Sequence, residues 1–310
     1  MISVVTVNWN SGQLLEKCVM SLLRHAAGCE IVVVDNASED RSALSLSDDP
    51  HLTFIQNSAN MGFAAANNVG WRRAKGDPVL FLNPDTECEP GSVDLLAQTL
   101  MHDPTLWGCA GLMLSAASGS GSGINVRRLP TISSTVAELL LLDEIVPGNP
   151  WTRRYRMKDD DLRQPCEVEQ PAAACLMLRR SALNALQGFD ERFHPAWYED
   201  VDLCARIRRC GGRILFQPAA RFRHLGGYSL NRLPYDRFLE FYHTNQIRYF
   251  AIHHGDRAAA KVRGLVVAGM RLRAMVSLVY PLARGFTRLQ AYRTFRAAAR
   301  HFSTLNEDTA

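Results

Sequence analysis

Short, almost uninterrupted apolar runs alternate in this chain with segments of helical periodicity, and this alternation restricts the fold more than any other feature. The runs have the length and β-branched content of buried strands. Predicted strands cover residues 2–8, 30–34, 52–56, 78–82, 172–178 and 214–217, and predicted helices cover residues 14–24, 64–73, 92–102, 131–144, 180–186, 201–209 and 237–253. Buried strands that alternate with helices indicate an α/β fold with a mostly parallel sheet.

Length and composition exclude several classes of protein. The chain has 310 residues, of which 47% are hydrophobic and 21% charged, a balance typical of folded globular proteins and not of disordered or fibrous ones. It has no run of about 18 uncharged apolar residues, so a membrane-spanning helix is not expected. The N-terminus lacks the basic start of a secretory signal, and the eight cysteines form no CxxC pair. We therefore expect a cytoplasmic protein with reduced thiols.

Charge is distributed unevenly along the chain. Residues 257–301 hold 10 Lys or Arg and no Asp or Glu, whereas residues 1–256 hold 25 basic and 29 acidic residues. A basic helix over residues 262–286, kinked at Pro281, would have one apolar face, formed by Val262, Leu265, Val266, Leu272, Val276, Val279 and Phe286. Such a helix is typical of proteins that lie on an anionic membrane surface. Packing of this face on the preceding domain of the chain or on a second subunit is the alternative.

Polar residues follow the predicted strands at the edge where an α/β sheet binds ligands. Asn8 ends the first strand, Asp35 follows the second, and Asn83-Pro84-Asp85 follows the fourth. Ligands of open α/β sheets collect beyond the carboxyl ends of the strands. A carboxylate at that edge suits Mg²⁺ or Mn²⁺, which bridge phosphates. The alternative is a simple turn, because Asn-Pro-Asp is also favourable turn chemistry.

Three acids, Glu199, Asp200 and Asp202, lie at the start of the predicted helix at 201–209. The helix dipole favours acids at this end, so capping is one interpretation. Trp197 and Tyr198 directly precede the acids and would form a partly dry wall beside them. A general base with a shifted pKa is expected in such surroundings.

Two further segments have weaker patterns. His224 follows strand-like residues and precedes Gly226-Gly227, as a metal ligand on a mobile loop would, although a lone histidine is more often structural. Gly62 would let the backbone approach a ligand where the helix at 64–73 begins. The chain has neither GxGxxG nor GxxxxGK[ST], which argues against a dinucleotide dehydrogenase and a P-loop NTPase.

Taken together and in this order, the segments VVTVNWNSG, EIVVVDNASED, NMGFAAANN, LFLNPDTE, WYEDVDLCAR and HLGG resemble glycosyltransferase family 2. Within the family they are most similar to the rhamnosyltransferase-like branch of bacterial surface-polysaccharide synthesis. The resemblance covers residues 2–253 and implies a GT-A fold, an α/β sandwich that binds a nucleotide sugar. In that case residues 1–114 bind the donor, residues 115–253 form the acceptor side, and residues 254–310 are a basic helical extension.

The resemblance also implies roles for individual residues. The donor nucleotide and sugar would contact Thr6, Asn8, Asp35, Asn60, Phe63, Asn67, Asn83 and Asp85. Asp35 matches the acid that binds the pyrimidine base. Asp85 matches the last acid of the Asp-x-Asp metal motif, and His224 matches a histidine that completes the metal shell in some relatives. Asp200 matches the general base of the Glu-Asp motif, with Glu199 as its catalytic neighbour.

One position departs from the family's pattern, because Asn83 occupies the place of the first acid of Asp-x-Asp. With one negative charge fewer, Mg²⁺ or Mn²⁺ should bind weakly until the donor diphosphate supplies ligands. The same change leaves open a catalytically degenerate protein that only binds sugar nucleotides. A sugar nucleotidyltransferase would use a similar sheet, but the Ser11-Gly12 turn is too poor in glycine and basic residues for its triphosphate loop.

The implied reaction is an inverting transfer, with dTDP-rhamnose as the expected donor and a UDP-hexose as the alternative. The acceptor would be a saccharide or a polyprenyl-diphosphate-linked sugar, bound on the side of Trp197 and Tyr198. We expect the basic helices to hold the protein peripherally at the inner face of the cell membrane. Nucleic-acid binding is not expected, since no RNA- or DNA-binding module accompanies the basic region. Whether the protein forms a homodimer stays open.

Overall fold

The computed structural model describes residues 1–43, 46, 49–115, 125–224, 233–280 and 285–304. The strands are β1 (Ser3–Asn8), β2 (Glu30–Asp35), β3 (Leu52–Gln56), β4 (Val79–Leu82), β5 (Thr86–Cys88), β6 (Leu106–Ser115), β7 (Val126–Arg127), β8 (Cys166–Val168), β9 (Gln170–Pro171), β10 (Cys175–Leu178) and β11 (Arg213–His224). The helices are α1 (Gln13–His25), α2 (Phe63–Arg73), α3 (Ser92–His102), α4 (Ile132–Leu139), α5 (Leu142–Ile145), α6 (Pro150–Tyr155), α7 (Arg180–Leu186), α8 (Glu199–Arg209), α9 (Tyr235–His254), α10 (Asp256–Ser277) and α11 (Arg288–Thr304).

The chain forms two units, one of Met1–Leu129 and Asp160–Arg232, the other of Pro130–Asp159 and Leu233–Ala310. The first unit is built on a sheet of order β3-β2-β1-β4-β10-β6-β11-β5, with β8 paired to β11. Strands β1 to β4 run parallel, whereas β10 runs antiparallel to both β4 and β6. The α/β class with a mostly parallel sheet is confirmed. The assignment of residues 1–253 to one catalytic domain stays a prediction.

Helices pack on both faces of the parallel strands. Leu15 of α1 and Leu96 of α3 share a buried cluster with Val4 of β1. Successive residues of a strand point to opposite faces, so the neighbouring Val5 faces α2, where a Cβ on Gly70 would collide with it. Each fully buried leucine or valine contributes about 2 kcal/mol of transfer free energy. These two layers hold the carboxyl ends of β1, β2 and β4 at a fixed edge.

The second unit is helical, and it corrects the predicted amphipathic helix over residues 262–286. Helix α10 ends at Ser277, and Val262 and Val266 are fully buried where α10 packs on α9, α11 and α4. Arg273 donates to the carbonyl oxygens of Glu138 and Leu139 at the end of α4. Val262 and Val266 of the face predicted to meet lipid are therefore covered within the unit, whereas Val279, on the same predicted face, is 77% exposed. Pro281 lies outside the described residues.

Other sequence predictions differ from the structure for local reasons. The helix predicted over 131–144 is split into α4 and α5, because Leu141 adopts a left-handed conformation with φ of 58°. The polar stretch 147–164, whose composition predicts irregular structure, contains α6, which Asn149 caps and Pro150 begins. Strand β6 was not predicted, and β11 continues well beyond residue 217. The Ser/Gly-rich stretch 115–123, whose composition predicts a flexible loop, lies outside the described residues except for Ser115.

Two further observations concern the chain as a whole. All eight cysteines fall within the described residues, and all are free thiols. Among the helices that the structure describes, none combines the length and the apolar character needed to cross a lipid bilayer.

Candidate active site

The carboxyl ends of β1 and β2 meet in a polar cluster around Asp35. Asn8, which is opposite Asp35 in the parallel register, donates its Nδ2 to Asp35 Oδ1 at 2.6 Å. Gln56 Nε2 donates to Oδ2 at 2.7 Å, and Ser38 donates both its N–H and its hydroxyl, at 3.0 and 2.7 Å. Four donors thus fix this carboxylate, which is only 2% exposed. The contacts of Asn8 and Asp35 with a nucleotide stay predictions.

Thr6 lies below this edge, in the interior of β1. The side chain is completely buried, and its hydroxyl donates to Leu82 O at 3.0 Å. This bond joins β1 to the last residue of β4, directly before Asn83. Thr6 therefore supports the edge from beneath, and its predicted contact with the nucleotide stays a prediction.

An asparagine network shapes the segment between β3 and α2. Asn36 Oδ1 accepts from Asn57 Nδ2 at 3.1 Å and from Met61 N at 3.0 Å, and Asn36 Nδ2 donates to Asn60 Oδ1 at 2.8 Å. Asn60 Oδ1 also accepts from Gly62 N at 2.9 Å. The network holds Asn60 beside the end of β2, where the predicted donor site lies.

Helix α2 begins against the segment that leads into α8. Phe63 N donates to Pro195 O at 2.7 Å. Gly62 has a φ of 81°, which favours glycine, and a Cβ at this position would lie 2.8 Å from the same carbonyl oxygen. Asn67 is 2% exposed and donates its Nδ2 to Phe63 O at 2.9 Å. Both predicted donor residues of α2 are therefore anchored next to the predicted acceptor side.

Asp85 and His224 lie side by side although they are far apart in sequence. Antiparallel pairing of β5 with β11 places His224 opposite Thr86, and His224 Nε2 is 3.2 Å from Asp85 Oδ1. That oxygen is buried and accepts no hydrogen bond from any described residue. Two neighbouring ligands of an octahedral ion with bonds of about 2.1 Å stand about 3.0 Å apart. The pair therefore fits a bound Mg²⁺ or Mn²⁺.

The part of the chain that the structure describes contains no group of three or more His, Cys, Asp or Glu side chains able to hold a metal ion. Asn83, whose carbonyl oxygen accepts from Thr86 N at 3.1 Å, begins the turn that carries Asp85. With an amide at residue 83, two side chains remain as predicted ligands, and a substrate would have to supply the others. Residues 225–227 of the HLGG segment, and Tyr228 and Ser229 after it, lie outside the described residues.

Helix α8 begins with two acids that have raised pKa values. Glu199 is 6% exposed, and its Oε2 accepts no hydrogen bond within the described chain. Burial, assisted by the charge of Asp200, raises the pKa of Glu199 well above its usual value. Burial also raises the pKa of Asp200, whereas the charge of Arg127 and the N–H groups of Ala173 and Val201 oppose that rise. Asp200 is therefore the member of the pair that ionises first.

The Asp200 carboxylate is held by three donors. Val201 N donates to Oδ1 at 2.8 Å, and Gln170 Nε2 and Ala173 N donate to Oδ2 at 3.2 and 3.3 Å. Gln170 was not identified from the sequence. A single glutamine in a polar stretch has no periodic signal, and only the pairing of β9 with β7 brings it to this position.

The third acid of the cluster, Asp202, has a structural partner. It is fully buried, and Arg206 Nε donates to its Oδ2 at 2.7 Å. Arg206 also donates to Leu186 O and Gly188 O, both at 2.9 Å. Through Arg206, this ion pair joins α8 to the end of α7. Asp202 therefore has a structural role, unlike the two catalytic candidates Glu199 and Asp200.

Trp197 and Tyr198 enter α8 in an unusual conformation. Their φ angles are 72° and 70°, in the left-handed region that bulky residues rarely adopt. Such residues store about 1–3 kcal/mol of strain each and cluster at functional sites. Tyr198 is buried and Trp197 half-buried, so aromatic surface does precede Glu199 and Asp200. Their role on the acceptor side stays a prediction.

Comparison with known proteins identifies the family. The family model described as glycosyl transferase family 2 matches residues 3–186. The chain is 28% identical over 296 residues to the N-acetylglucosaminyl-diphospho-decaprenol L-rhamnosyltransferase of Mycobacterium tuberculosis, covering 91% of this chain and 94% of that protein. It is 23% identical over 198 residues to the rhamnosyltransferase WbbL of Escherichia coli, covering 61% of this chain and 70% of that protein.

Solved structures show the same fold. The mannosyltransferase PcManGT from Pyrobaculum calidifontis, in complex with GDP-Man and Mn²⁺, superposes with a TM-score of 0.56 at 16% identity. The match covers 98% of this chain and 88% of that one. The predicted GT-A fold is confirmed.

Proposed function

The chain belongs to glycosyltransferase family 2, and from this premise we propose that it is an inverting transferase. It moves L-rhamnose from dTDP-rhamnose to a hydroxyl of a saccharide or lipid-linked acceptor in surface-polysaccharide synthesis. The similar rhamnosyltransferases of M. tuberculosis and E. coli support the choice of sugar. The name of the former includes N-acetylglucosaminyl-diphospho-decaprenol, which supports a polyprenyl-diphosphate-linked acceptor.

The observation that carries the proposal is the environment of Asp200. Its carboxylate is oriented by three N–H donors, its pKa is raised by burial, and Glu199 beside it has a pKa raised further still. An oriented carboxylate of raised pKa is a suitable general base for an alcohol. Direct displacement needs one such base and no second carboxylate nucleophile.

In the proposed step, Asp200 accepts the proton of the acceptor hydroxyl as its oxygen attacks the anomeric carbon. The new bond forms between acceptor oxygen and anomeric carbon while the bond to the donor diphosphate breaks, and the nucleoside diphosphate leaves with the electron pair. Attack opposite the leaving group inverts the anomeric configuration. Phe63 and Asn67 support alignment of the two substrates, because α2 contacts the segment that precedes the base.

The charge that develops on the leaving diphosphate requires a counter-charge. Asp85 and His224 are the residues that would hold Mg²⁺ or Mn²⁺, and such an ion, when bound, neutralises this charge. The unsatisfied buried oxygen of Asp85 supports this assignment. With Asn83 in place of an acid, the side chains of Asp85 and His224 alone would hold the ion weakly, so metal binding should depend on the donor diphosphate.

A thermal-shift and transfer assay tests the proposed function. Wild-type protein is treated with EDTA and then assayed with dTDP-rhamnose, UDP-hexoses and GDP-mannose, each with and without Mn²⁺. A metal-dependent shift and transfer with dTDP-rhamnose are expected, since a ligand that binds only the folded state raises its midpoint. If sugar is transferred from a UDP-hexose and not from dTDP-rhamnose, the UDP-hexose is the donor. Donor binding without transfer to any saccharide or lipid-linked acceptor would favour the degenerate sugar-nucleotide binder that Asn83 suggests.

The second unit supports peripheral binding to an anionic membrane. Its exposed apolar side chains near the end of α10 are between 45% and 77% exposed and comprise Met275, Leu278, Val279, Tyr280 and Leu289. The exposed basic residues of α10 and α11 are Arg257, Lys261, Arg271, Arg288, Arg293, Arg296 and Arg300. Apolar side chains flanked by cations suit the boundary between lipid headgroups and acyl chains. The membrane contact is therefore proposed for this end of the unit, where Val279 is exposed, and not for the part of the predicted apolar face around Val262 and Val266, which is buried.

A further inference from the structure

A two-stranded sheet, separate from the central one, lies next to Asp200. Strands β7 and β9 pair antiparallel, with Arg127 directly opposite Gln170. Asn125, which precedes β7, donates its Nδ2 to Gly111 O of β6 at 2.7 Å, and its carbonyl oxygen accepts from Ala172 N at 2.8 Å. The strand pair is thus tied to the central sheet and does not depend on Asp200 for its position.

Gln170 has features that stability alone does not explain. Its Nε2 donates to Asp200 Oδ2 at 3.2 Å and to Pro171 O at 3.3 Å. The residue is 2% exposed, and its buried Oε1 accepts no hydrogen bond within the described residues. If the Gln170 amide were turned round, its Oε1 would face the Asp200 carboxylate oxygen. The hydrogen-bond network therefore assigns Nε2 to the position next to Asp200. A buried, half-satisfied amide costs stability relative to an apolar side chain, and such exceptions are expected at functional sites.

Arg127 brings a positive charge from the opposite strand. This charge acts against the effect of burial on the Asp200 pKa. The other titratable groups around the carboxylate are Glu199, Asp202 and Cys204, all on α8. Burial raises the pKa of both Glu199 and Cys204, which favours their neutral forms, and Asp202 has its own arginine partner. Arg127 thus acts on Asp200 from outside α8.

We propose that the β7–β9 strand pair is a positioning platform for Asp200, in which Gln170 orients the carboxylate and Arg127 supplies the compensating charge. The proposal rests on the proposed function, because it explains how the base is held ready. Gln170 and Arg127 are positioning residues, since they act on the reaction through Asp200. A base held in one rotamer and kept ionised presents its free lone pair to the acceptor hydroxyl at no further cost in ordering.

The test measures the Asp200 pKa directly in the full-length protein. Asp is labelled with ¹³C at Cγ, the carboxyl resonances are titrated by NMR, and the Asp200 signal is identified by its loss in Asp200→Asn. Gln170→Met removes the N–H donor at nearly constant length, and Arg127→Met removes the charge. We expect each change to raise the Asp200 pKa by about one unit. Gln98→Met, at an exposed position on α3, is the matched control and should leave it unchanged.

A kinetic measurement accompanies the titration. In Gln170→Met the acid limb of kcat/KM should move to higher pH by the same amount, and kcat below neutral pH should fall about tenfold, with KM for the donor unchanged. An unchanged Asp200 pKa in both platform variants overturns the platform, whatever their activity. If the Asp200 pKa is raised in the variants but the wild-type protein transfers no sugar, the result supports the platform and overturns the proposed function.

Discussion

His224 Nε2 lies 3.2 Å from Asp85 Oδ1, although one residue ends β11 and the other lies in the turn between β4 and β5. The pairing of β5 with β11 produces this contact. It places the imidazole beside a buried carboxylate oxygen that accepts no hydrogen bond of suitable geometry from the described residues.

The first prediction concerns metal binding. Asp85→Asn and His224→Ala should each weaken binding of Mn²⁺ in the presence of dTDP by roughly tenfold or more, because each removes one of the two proposed side-chain ligands. Isothermal titration of Mn²⁺ into protein saturated with dTDP measures this. Asp94→Asn, at an exposed position on α3, is the matched control. Wild-type affinity in Asp85→Asn would show that the ion binds elsewhere.

The second prediction concerns the base. Asp200→Asn keeps the size of the side chain but removes its basicity, so transfer should fall by about 10³-fold. Donor-induced stabilisation, measured by thermal shift, should persist because in the proposed mechanism Asp200 contacts the acceptor hydroxyl and not the diphosphate. Near-normal turnover in Asp200→Asn would exclude the assignment.

Asp202→Asn provides a contrast two residues away. It breaks a buried ion pair with Arg206, so the free energy of unfolding should fall by about 3 kcal/mol in urea denaturation. The fraction of Asp202→Asn protein that remains folded should still transfer sugar. If Asp200→Asn loses sugar transfer and Asp202→Asn loses stability, Asp200 has a catalytic role and Asp202 a structural one. The reverse pattern would contradict them.

The third prediction concerns pH and stability at Glu199. The folded-state pKa of Glu199 is raised, so above about pH 4.3 the carboxyl ionises in the unfolded chain while it stays protonated in the folded one. The folded state then binds more protons, and the free energy of unfolding of the wild type falls as pH rises toward the folded-state pKa. Glu199→Gln cannot ionise, so its stability relative to the wild type should increase as the pH rises from about 4 toward the folded-state pKa of Glu199. Parallel stability curves from urea denaturation would refute the raised pKa.

The fourth prediction concerns the membrane. Val279→Glu places a charge in the exposed apolar end of the second unit, so binding to vesicles with anionic lipid should weaken by roughly tenfold. Co-sedimentation with anionic and zwitterionic vesicles measures it, and the wild type should prefer the anionic ones. Met101→Glu introduces the same charge at a similarly exposed apolar position on α3 and should have no effect. Equal loss in both variants would mean that the end of α10 is not the contact.

Features determined by local sequence were predictable. Asp35 and Asp85 follow buried apolar strands, and the parallel order of those strands brings them to one edge of the sheet. Glu199 and Asp200 stand directly before a helix of clear periodicity, so their place at its first turn followed from sequence. The resemblance to the family supplied their roles, which no pattern of charge or hydropathy gives.

Features that depend on non-local pairing were not predictable. Gln170 reaches Asp200 only because β9 pairs with β7, and both strands are two residues long. Val262 and Val266 form an apolar face in sequence, but the sequence does not say whether lipid or neighbouring helices cover it. Leu141 splits a helical pattern by adopting a backbone conformation that leucine rarely takes. In each case tertiary packing overrides the local preference.

The most direct test of the central claim is the stereochemical outcome of sugar transfer by wild-type protein. EDTA-treated protein is supplied with dTDP-rhamnose and a polyprenyl-diphosphate-linked N-acetylglucosamine, with and without Mn²⁺, and the anomeric configuration of the product is read by NMR. We predict transfer only with the metal, and a configuration opposite to that of the donor. Retention of the donor configuration, or no transfer by folded protein that binds dTDP-rhamnose, would contradict an inverting rhamnosyltransferase with Asp200 as its base.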